Sequence, residues 1–165
     1  MTSHDIEIAG ETPGDEAAIL ALHEAAFGPG RFARAAERVR ERGPHDAALS
    51  FVARRGGALV GSVRLTPIRI GARGGHLLGP LAVEPGSKNA GIGGALIERA
   101  CGAAFARGSG FVLLVGDAPY YGRHGFEVVR GPVMPGPVDP GRLLVRWGNE
   151  RAVLKGPVLH AGTGT

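Results

Sequence analysis

The sequence predicts an α/β fold of the α+β type, in which a mixed, mostly antiparallel sheet carries helices on both faces. The first observation is a hairpin signal, Arg55-Gly56-Gly57, between two runs of strand-forming residues. The second is a short apolar run that ends at Val83 and leads through a glycine-rich turn into an amphipathic helix. The third is another apolar run, Phe111–Val115, after that helix. Together these elements predict short strands in one sheet with helices packed against it.

In the N-terminal half, the residue pattern predicts a strand, two helices and the hairpin. Residues 6–8 alternate apolar and charged side chains, which favours a strand. Thr12 or Asp15 could cap the first helix, whose buried side is expected to carry Ile19, Leu22 and Phe27. The predicted elements, in order, are a strand at 6–8, a helix to about Phe27, a helix near 31–42 after a Gly-Pro-Gly break, and strands at 51–53 and Ala58–Ile70.

In the C-terminal half, Pro80 beside Gly79 has two interpretations that the sequence leaves open. One is a bulge that frees backbone groups for a ligand, and the other is a proline at a sheet edge. The helix that follows is expected to run from Gly91 to about Arg107 and to bury Ile92, Leu96, Ala100 and Ala103. The remaining predicted elements are a turn at 71–75, strands Leu143–Trp147 and 152–154, and a loop rich in proline and glycine at 131–141.

Length and composition predict one domain, residues 1–165, in a reducing compartment. The single cysteine, Cys101, excludes an internal disulfide and is expected to be a small buried residue. No apolar run approaches the ~20 residues that span a bilayer, and the acidic N-terminus lacks the features of a signal peptide. We therefore expect a cytoplasmic protein without a membrane partner. The histidines are not spaced as metal ligands, so no metal is expected.

The charge pattern does not predict nucleic-acid binding. The net charge of +4 is modest, and the arginines of 31–42 are partly balanced by Glu37 and Glu41, which is typical of a solvated helix face. Aromatic residues are too sparse for stacking against single strands. A basic balance does favour an anionic ligand.

Three glycines, Gly91, Gly93 and Gly94, open the helix after Val83 and predict a phosphate site. The first amides of a helix lack intrahelical partners, the helix dipole favours negative charge there, and glycine lets a phosphate approach the backbone. A P-loop is excluded because no Gly-Lys-Ser/Thr step follows Gly91. A dinucleotide fingerprint is excluded because Leu96 stands where its third glycine is needed.

Two blocks of sequence resemble one enzyme superfamily. Lys88-Asn-Ala-Gly-Ile-Gly93 resembles the acetyl-CoA pyrophosphate loop of the GNAT N-acetyltransferases, which reads Gln/Arg-x-x-Gly-x-Gly/Ala. Downstream, Tyr121-Gly-Arg-His-Gly-Phe126 is similar to the Tyr-x-x-x-Gly-Phe block of the same superfamily. With Leu-Gly-Pro-Leu-Ala-Val before them, these blocks resemble a group of small bacterial acetyltransferases. The resemblance covers about residues 78–128 and implies the GNAT acyl-CoA N-acyltransferase fold.

The resemblance also implies roles for individual residues. Backbone groups of Leu81, Ala82 and Val83 are expected to bond the pantetheine arm of acetyl-CoA. Tyr121 is expected to act as general acid toward the CoA sulfur. Asp117 lies near the place of a pantetheine-binding asparagine in relatives, and a helix N-cap is an equal alternative for it. The residues expected to hold the pyrophosphate are Lys88, Asn89, Ala90, Gly91, Ile92, Gly93 and Gly94.

The pattern leaves the general base open. Several members of the superfamily carry a glutamate on the strand that here ends at Val83, and Leu77 is the nearest equivalent. The candidate bases are His76, whose pKa lies near working pH, and Glu84, with ordered water as the alternative that needs no side chain. Tyr120 is expected to be a packing residue.

These features predict an acetyl-CoA-dependent N-acetyltransferase that passes the acetyl group to a primary amine by direct attack in a ternary complex. The alternative is an inactive or weakly active acyl-CoA-binding sensor of the same fold, which Leu77 favours. The expected acceptor is a small-molecule or peptide amine, nucleic acid and membrane are not expected partners, and a homodimer is left open. The acceptor pocket is expected from segments 27–42 and 131–141, which carry no recognisable signature.

Overall fold

This computed structural model describes residues 5–28, 34–87 and 90–161, which form the following strands and α-helices. The strands are β1 (Ile6–Gly10), β2 (Phe51–Arg55), β3 (Ala58–Ile70), β4 (Arg73–Val83), β5 (Phe111–Val115), β6 (Glu127–Val128), β7 (Pro132–Val133), β8 (Leu143–Trp147) and β9 (Gly156–His160). The α-helices are α1 (Glu16–Phe27), α2 (Ala35–Arg40), α3 (Ile92–Ala106) and α4 (Ala118–Gly122).

Antiparallel pairing dominates the sheet, as predicted. The strand order is β1-β2-β3-β4-β5-β8-β6, with β9 paired to β3 and β7 to β9. Among the described strands, only β4–β5 and β7–β9 pair in parallel. The β4–β5 connection contains α3, since parallel neighbours need a crossover. The predicted mixed sheet with helices on both faces is confirmed.

The predicted hairpin joins β2 to β3. Gly56 and Gly57 form its turn with φ values of 57° and 85°. A two-residue hairpin of this kind needs positive φ at both central positions, which glycine adopts without strain. Arg55 pairs with Ala58 on either side of the turn.

Strand β5 is buried on both faces of the sheet. On one side Val112 and Leu114 pack in a cluster with Leu96 of α3, and on the other Leu113 packs in a cluster with Val39 of α2. Successive side chains of a strand point to opposite faces, so a strand covered on both faces reads as an unbroken apolar run. Helices α2 and α3 therefore lie on opposite faces of the sheet.

Helix α3 buries more rows of side chains than the sequence predicted. Ala103 is only half-buried, whereas Ile97, Cys101 and Ala104 are fully buried. The reason is that α3 contacts β2, β3 and β4 together, so more than one row of side chains meets the sheet. Within the described ranges, no helix has the length and apolar character needed to cross a membrane.

The two cap candidates, Thr12 and Asp15, are bonded to each other just before α1, and Asp15 at the N-cap of α1 makes no side-chain hydrogen bond to the helix. Thr12 precedes a 3-10 turn, Pro13–Asp15, and the Asp15 carboxylate accepts the Thr12 backbone N–H at 2.9 Å. This hydrogen bond is the main cause that lowers the pKa of Asp15. Ile19 and Leu22 are buried as expected, whereas Phe27 at the end of the helix is only half-buried. Helix α2 is shorter at both ends than the helix predicted near 31–42. Residues 31–33 lie outside the described part of the chain.

Two predicted segments were wrong in detail. The turn at 71–75 contains only Gly71 and Ala72, because β4 already begins at Arg73. Residues 152–154 form no strand, and the last strand is β9, which pairs with β3. Both edges of β8 are already paired with β5 and β6, so the chain beyond β8 has no edge to join there. The predicted loop 131–141 also contains the short strand β7.

Candidate active site

Strands β4 and β5 are paired at one end and separate at the other. They pair at two positions, His76↔Val112 and Leu77↔Leu113. Beyond these, β4 continues through 78–83 with partners only on β3. One edge of 78–83 therefore carries backbone groups that no described strand uses, and buried backbone groups require a partner.

A bulge interrupts β4 beside this open edge. Gly79 and Pro80, joined by a cis peptide bond, together oppose the single residue Arg64 of β3. The bulge interpretation of Pro80 is confirmed. Pro80 also lies in the part of β4 that pairs only with β3, so it borders an open sheet edge, and the two interpretations hold together. A bulge disrupts the ladder locally and redirects backbone groups.

A cavity of about 600 Å³ lies between the separated strands and reaches α2. We call it the fork cavity. Both segments expected to form an acceptor pocket, 27–42 and 131–141, contribute to its wall. The residues that line it are Phe27, Arg34, Ala35, Ala36, Glu37, Arg40, Leu78, Gly79, Pro80, Leu81, Leu114, Val115, Gly116, Asp117, Tyr120, Tyr121, Pro137, Val138, Asp139 and Arg142.

A second cavity, of about 820 Å³, lies between the end of β4 and the start of α3. We call it the loop cavity. Phe27, Leu81 and Tyr120 line both cavities, so the two are neighbours. The residues that line the loop cavity are Ala26, Phe27, Leu81, Ala82, Val83, Ser87, Gly91, Ile92, Gly93, Gly94, Ala95, Glu98, Tyr120, Arg123 and His124.

The first turn of α3 supplies backbone donors to the loop cavity. Gly91 caps the helix with φ 78°, a left-handed conformation that favours glycine. The Ala95 N–H donates to the Gly91 carbonyl at 3.1 Å. The amides of Ile92, Gly93 and Gly94 therefore precede the helical hydrogen-bond ladder and suit an anion.

The loop before α3 is described only in part. Lys88 and Asn89 lie outside the described residues, so their predicted role stays a prediction. Ala90 is exposed. Ser87 is buried, and its Oγ accepts a hydrogen bond from Arg55 Nη1 at 3.2 Å, which ties the start of the loop to β2.

A carboxylate held by two basic side chains lies at the far side of the loop cavity. Glu98 Oε2 is 3.1 Å from His124 Nδ1, and Glu98 Oε1 accepts a hydrogen bond from Arg146 Nη1 at 3.1 Å. Burial acts to raise the pKa of Glu98, but the hydrogen bonds and charges of these partners outweigh it, and the pKa is lowered. Glu98 is therefore ionised and compensated beside the loop cavity.

Tyr120 and Tyr121 lie side by side in α4, and both line the fork cavity. Their rings meet edge to face with centroids 4.9 Å apart, and Tyr121 also packs on Phe126 at 5.9 Å. No described residue makes a hydrogen bond with the Tyr121 hydroxyl. Burial raises the pKa of Tyr121 to about 12, Tyr120 and Asp117 add to the rise, and Arg142 opposes it. The phenol is therefore neutral at any ordinary pH.

Asp117 caps α4. Its Oδ2 accepts the backbone N–H of Tyr120 at 3.1 Å, so the N-cap interpretation is confirmed. Because Asp117 also lines the fork cavity, its predicted contact with pantetheine stays a prediction.

A largely buried guanidinium forms part of the fork cavity wall. Arg40, whose side chain is 18% exposed, donates from Nη1 to Glu37 Oε1 at 3.1 Å. Its Nε is buried without a partner, and its Nη2 occupies the space that a Cβ on Gly79 would take. Burial lowers the pKa of Arg40, the Glu37 charge opposes this, and the Arg34 charge adds to it.

Comparison with known proteins identifies the family. A family model described as an acetyltransferase (GNAT) domain matches residues 46–128, about half of the chain. A relative from Escherichia coli (strain K12), the uncharacterized N-acetyltransferase YjhQ, is 33% identical over 137 residues, which cover 79% of this chain and 75% of the relative. This chain belongs to the GNAT acetyltransferase family.

Solved GNAT structures match nearly the whole chain. YhbS from Escherichia coli, in complex with CoA, superposes with a TM-score of 0.75 at 24% identity, over 94% of this chain and 89% of that one. A GNAT acetyltransferase from Brucella melitensis, in complex with acetyl-CoA, gives a TM-score of 0.71 at 27% identity, over 96% and 97%. The GNAT fold, expected from two short motifs, is confirmed.

The predicted base positions of this GNAT chain line neither cavity. His76 lies at the paired end of β4, with Nδ1 2.9 Å from Ser109 Oγ, and burial lowers its pKa. Glu84 is exposed beyond the end of β4. Leu77 is fully buried in the cluster on the α2 face. These placements do not favour His76 or Glu84 as the base.

Several cavity residues were not singled out by the sequence. The arginines of 31–42 were expected on a solvated face, and Arg34 and Arg38 are exposed, but Arg40 is not. Its only local signal is Glu37, three residues earlier on the same helix. Tyr120 was expected to pack, and it does, yet it also lines both cavities. The adjacent tyrosine pair was the available signal.

Proposed function

We propose that this GNAT acetyltransferase uses acetyl-CoA to acetylate a primary amine by direct attack in a ternary complex. One observation carries the proposal: the open edge of β4 adjoins both cavities, with the first turn of α3 at one and Tyr121 at the other. Donor and acceptor sites that meet at one strand edge suit a single-step transfer. The Brucella melitensis relative, which was crystallised with acetyl-CoA, supports the same donor.

The loop cavity is the proposed donor site. The free amides of Ile92, Gly93 and Gly94 suit the pyrophosphate of CoA, together with the preceding loop residues Lys88–Gly91. The unpaired backbone edge that includes Leu81 and Val83 suits the amides of the pantetheine arm, because a strand edge pairs with an extended amide chain. The loop cavity, about 820 Å³, is within the usual range of ligand sites.

The transfer forms one bond and breaks another. The amine nitrogen bonds to the thioester carbonyl carbon, the carbon–sulfur bond breaks, the amine loses a proton and the sulfur gains one. Tyr121 donates to the departing sulfur as general acid. Its pKa of about 12 exceeds the ~8.5 of a thiol, so the donation needs electrostatic help. Arg142, whose charge lowers the pKa of Tyr121, supplies help of the right sign.

A non-catalytic acyl-CoA-binding sensor of the same fold is the second candidate. The observation that favours it is the apolar burial of Leu77, with His76 and Glu84 both outside the cavities. An amine that loses its proton to water in the fork cavity needs no base side chain, so this observation does not exclude catalysis.

Two measurements test these functions. In a thermal unfolding assay, acetyl-CoA at 100 times its Kd stabilises a native protein by about 2.7 kcal/mol. No shift in Tm at millimolar acetyl-CoA would contradict both candidates. Release of free CoA thiol across an amine panel then separates enzyme from sensor, because a sensor shows the Tm shift without turnover.

A further inference from the structure

The carboxylates that line the fork cavity already have partners. Glu37 Oε1 accepts from Arg40 Nη1 at 3.1 Å. Asp117 and Asp139 each accept a backbone N–H of their own turn, at 3.1 and 2.9 Å. Each of these carboxylates therefore already accepts a hydrogen bond within its own helix or turn, and a cationic ligand would have to compete with that donor.

The arginines of the same cavity are less fully compensated. No carboxylate of the described chain lies within ion-pair distance of Arg34 or Arg142. The guanidinium carbon of Arg34 instead lies 5.3 Å from the centroid of the Phe27 ring. The positive charge of Arg34 repels that of Arg40 and lowers the pKa of Arg40. On Arg40, Nε has no partner, and Nη2 makes no hydrogen bond with the described residues. Repelling guanidiniums with unused donors indicate a site for an anion.

We propose that the acceptor amine carries an anionic group, a carboxylate or a phosphate, which Arg40 binds with Arg34 and Arg142. The inference rests on the proposed function, because it places this amine in the fork cavity. The Nε and Nη2 donors of a guanidinium lie parallel and match two oxygens of either anion. A lysine at position 40 would lack that paired geometry.

The position of Arg40 also limits the size of the acceptor. Its Nη2 lies against Gly79 in the β4 bulge, next to the open strand edge where the acetyl group is to be transferred. An anion bound by Arg40 lies close to the reacting amine. The anionic group and the amine of the acceptor are therefore separated by few bonds. The fork cavity, about 600 Å³, matches a small molecule.

Matched pairs of amines test this inference on the wild-type protein. β-Alanine is compared with β-alaninamide, and phosphoethanolamine with ethanolamine, by CoA thiol release at fixed acetyl-CoA. We expect kcat/KM to be about tenfold to a hundredfold higher for the anionic member of at least one pair, as for hydrogen bonds to charged groups. The pair that shows the preference distinguishes a carboxylate from a phosphate. Equal rates within both pairs, or faster neutral amines, would overturn the inference.

Variants then locate the anion site. Arg34→Gln and Arg40→Gln are expected to lower kcat/KM for the anionic amine at least about tenfold more than for the neutral amine. Because Arg40→Gln leaves Glu37 unpaired, the double variant Glu37→Gln/Arg40→Gln removes both charges and guards against misfolding. Arg38→Gln is the matched control, since Arg38 is an exposed residue of α2 that lines neither cavity. Equal losses with both amines would count against the inference.

Failure of this inference is distinguishable from failure of the proposed function. If acetyl-CoA raises the Tm but none of the four amines is acetylated, a small anionic acceptor is contradicted while donor binding stands. If acetyl-CoA neither raises the Tm nor supports turnover, the proposed function itself fails.

Discussion

The hydroxyl of Tyr120 lies over the first turn of α3, so close to Gly93 that a Cβ on residue 93 would lie 2.6 Å from the phenolic oxygen. The Tyr120 ring is held in place by the Tyr121 ring, by His124 with a centroid distance of 5.8 Å, and by Arg123 with its guanidinium carbon 4.9 Å from the ring centroid. A side chain at position 93 therefore has to displace a packed ring at the wall of the loop cavity.

Gly93→Val is expected to raise the Kd of acetyl-CoA at least about tenfold, because it displaces Tyr120 and obstructs the amides at the start of α3. Isothermal titration calorimetry with acetyl-CoA measures this directly. Gly102→Ala is the control, since Gly102 lies on the same helix and a Cβ at that position would have no neighbouring atom within 4 Å. We expect Gly102→Ala to keep the wild-type Kd and to gain up to about 1 kcal/mol of stability. Wild-type affinity in Gly93→Val would contradict the proposed donor site.

Tyr121→Phe is expected to lower kcat by about 10²- to 10⁴-fold, because it removes the proton donor to the departing sulfur. The Kd of acetyl-CoA should change little, since the ring and its packing on Phe126 remain. Steady-state CoA release, with affinity measured separately, distinguishes the two effects.

The neighbouring tyrosine supplies a matched control for that experiment. Tyr120→Phe removes a hydroxyl that lies near Gly93, so its effect is expected on acetyl-CoA affinity and not on kcat. If instead Tyr120→Phe abolishes turnover and Tyr121→Phe retains it, the acid role belongs to Tyr120.

Local signals predicted most of the fold. The turn at Gly56 and Gly57 and the cap at Gly91 require glycine for conformational reasons that act within a few residues. The strand expected at 152–154 failed because strand formation depends on a free edge, and both edges of β8 were taken by β5 and β6. Edge availability is a property of the assembled sheet, which a local pattern does not contain.

The same distinction between local and long-range signals applies to the candidate site. The phosphate loop and Tyr121 lie in contiguous motifs and were predicted, whereas Arg40 was assigned to a solvated face. Its burial depends on Gly79, a residue far along the chain whose missing side chain leaves room for the guanidinium. His76 lines neither cavity because it lies in the part of β4 that is still paired with β5, and the point where these strands separate is likewise a property of the assembled sheet.

Cys101 is expected to take no part in acetyl transfer. It is fully buried, and burial raises its pKa to about 12, so the reactive thiolate is scarce at neutral pH. The native protein should therefore react very slowly with a thiol reagent such as DTNB, and the denatured protein should release one equivalent, since the chain has one cysteine. Cys101→Ala should retain the wild-type kcat. Loss of turnover in a folded Cys101→Ala variant would indicate an acyl-cysteine route instead.

The raised pKa of Tyr121 predicts an alkaline titration that can be observed directly. The chain has two tyrosines, Tyr120 and Tyr121, so in Tyr120→Phe the absorbance of tyrosinate near 295 nm reports Tyr121 alone. The ordinary pKa is 10.0, and burial, the largest cause, raises that of Tyr121 to about 12. The folded state therefore holds the proton between these values while the unfolded state loses it, so this group's contribution to stability is present below pH 10 and is lost as pH rises toward 12. We expect little tyrosinate at pH 10.5 in the native variant, and ionisation of about three-quarters of the phenol on denaturation at the same pH. A native midpoint near 10 would mean that the phenol is solvated, and that the buried, always protonated donor assigned to the fork cavity does not exist.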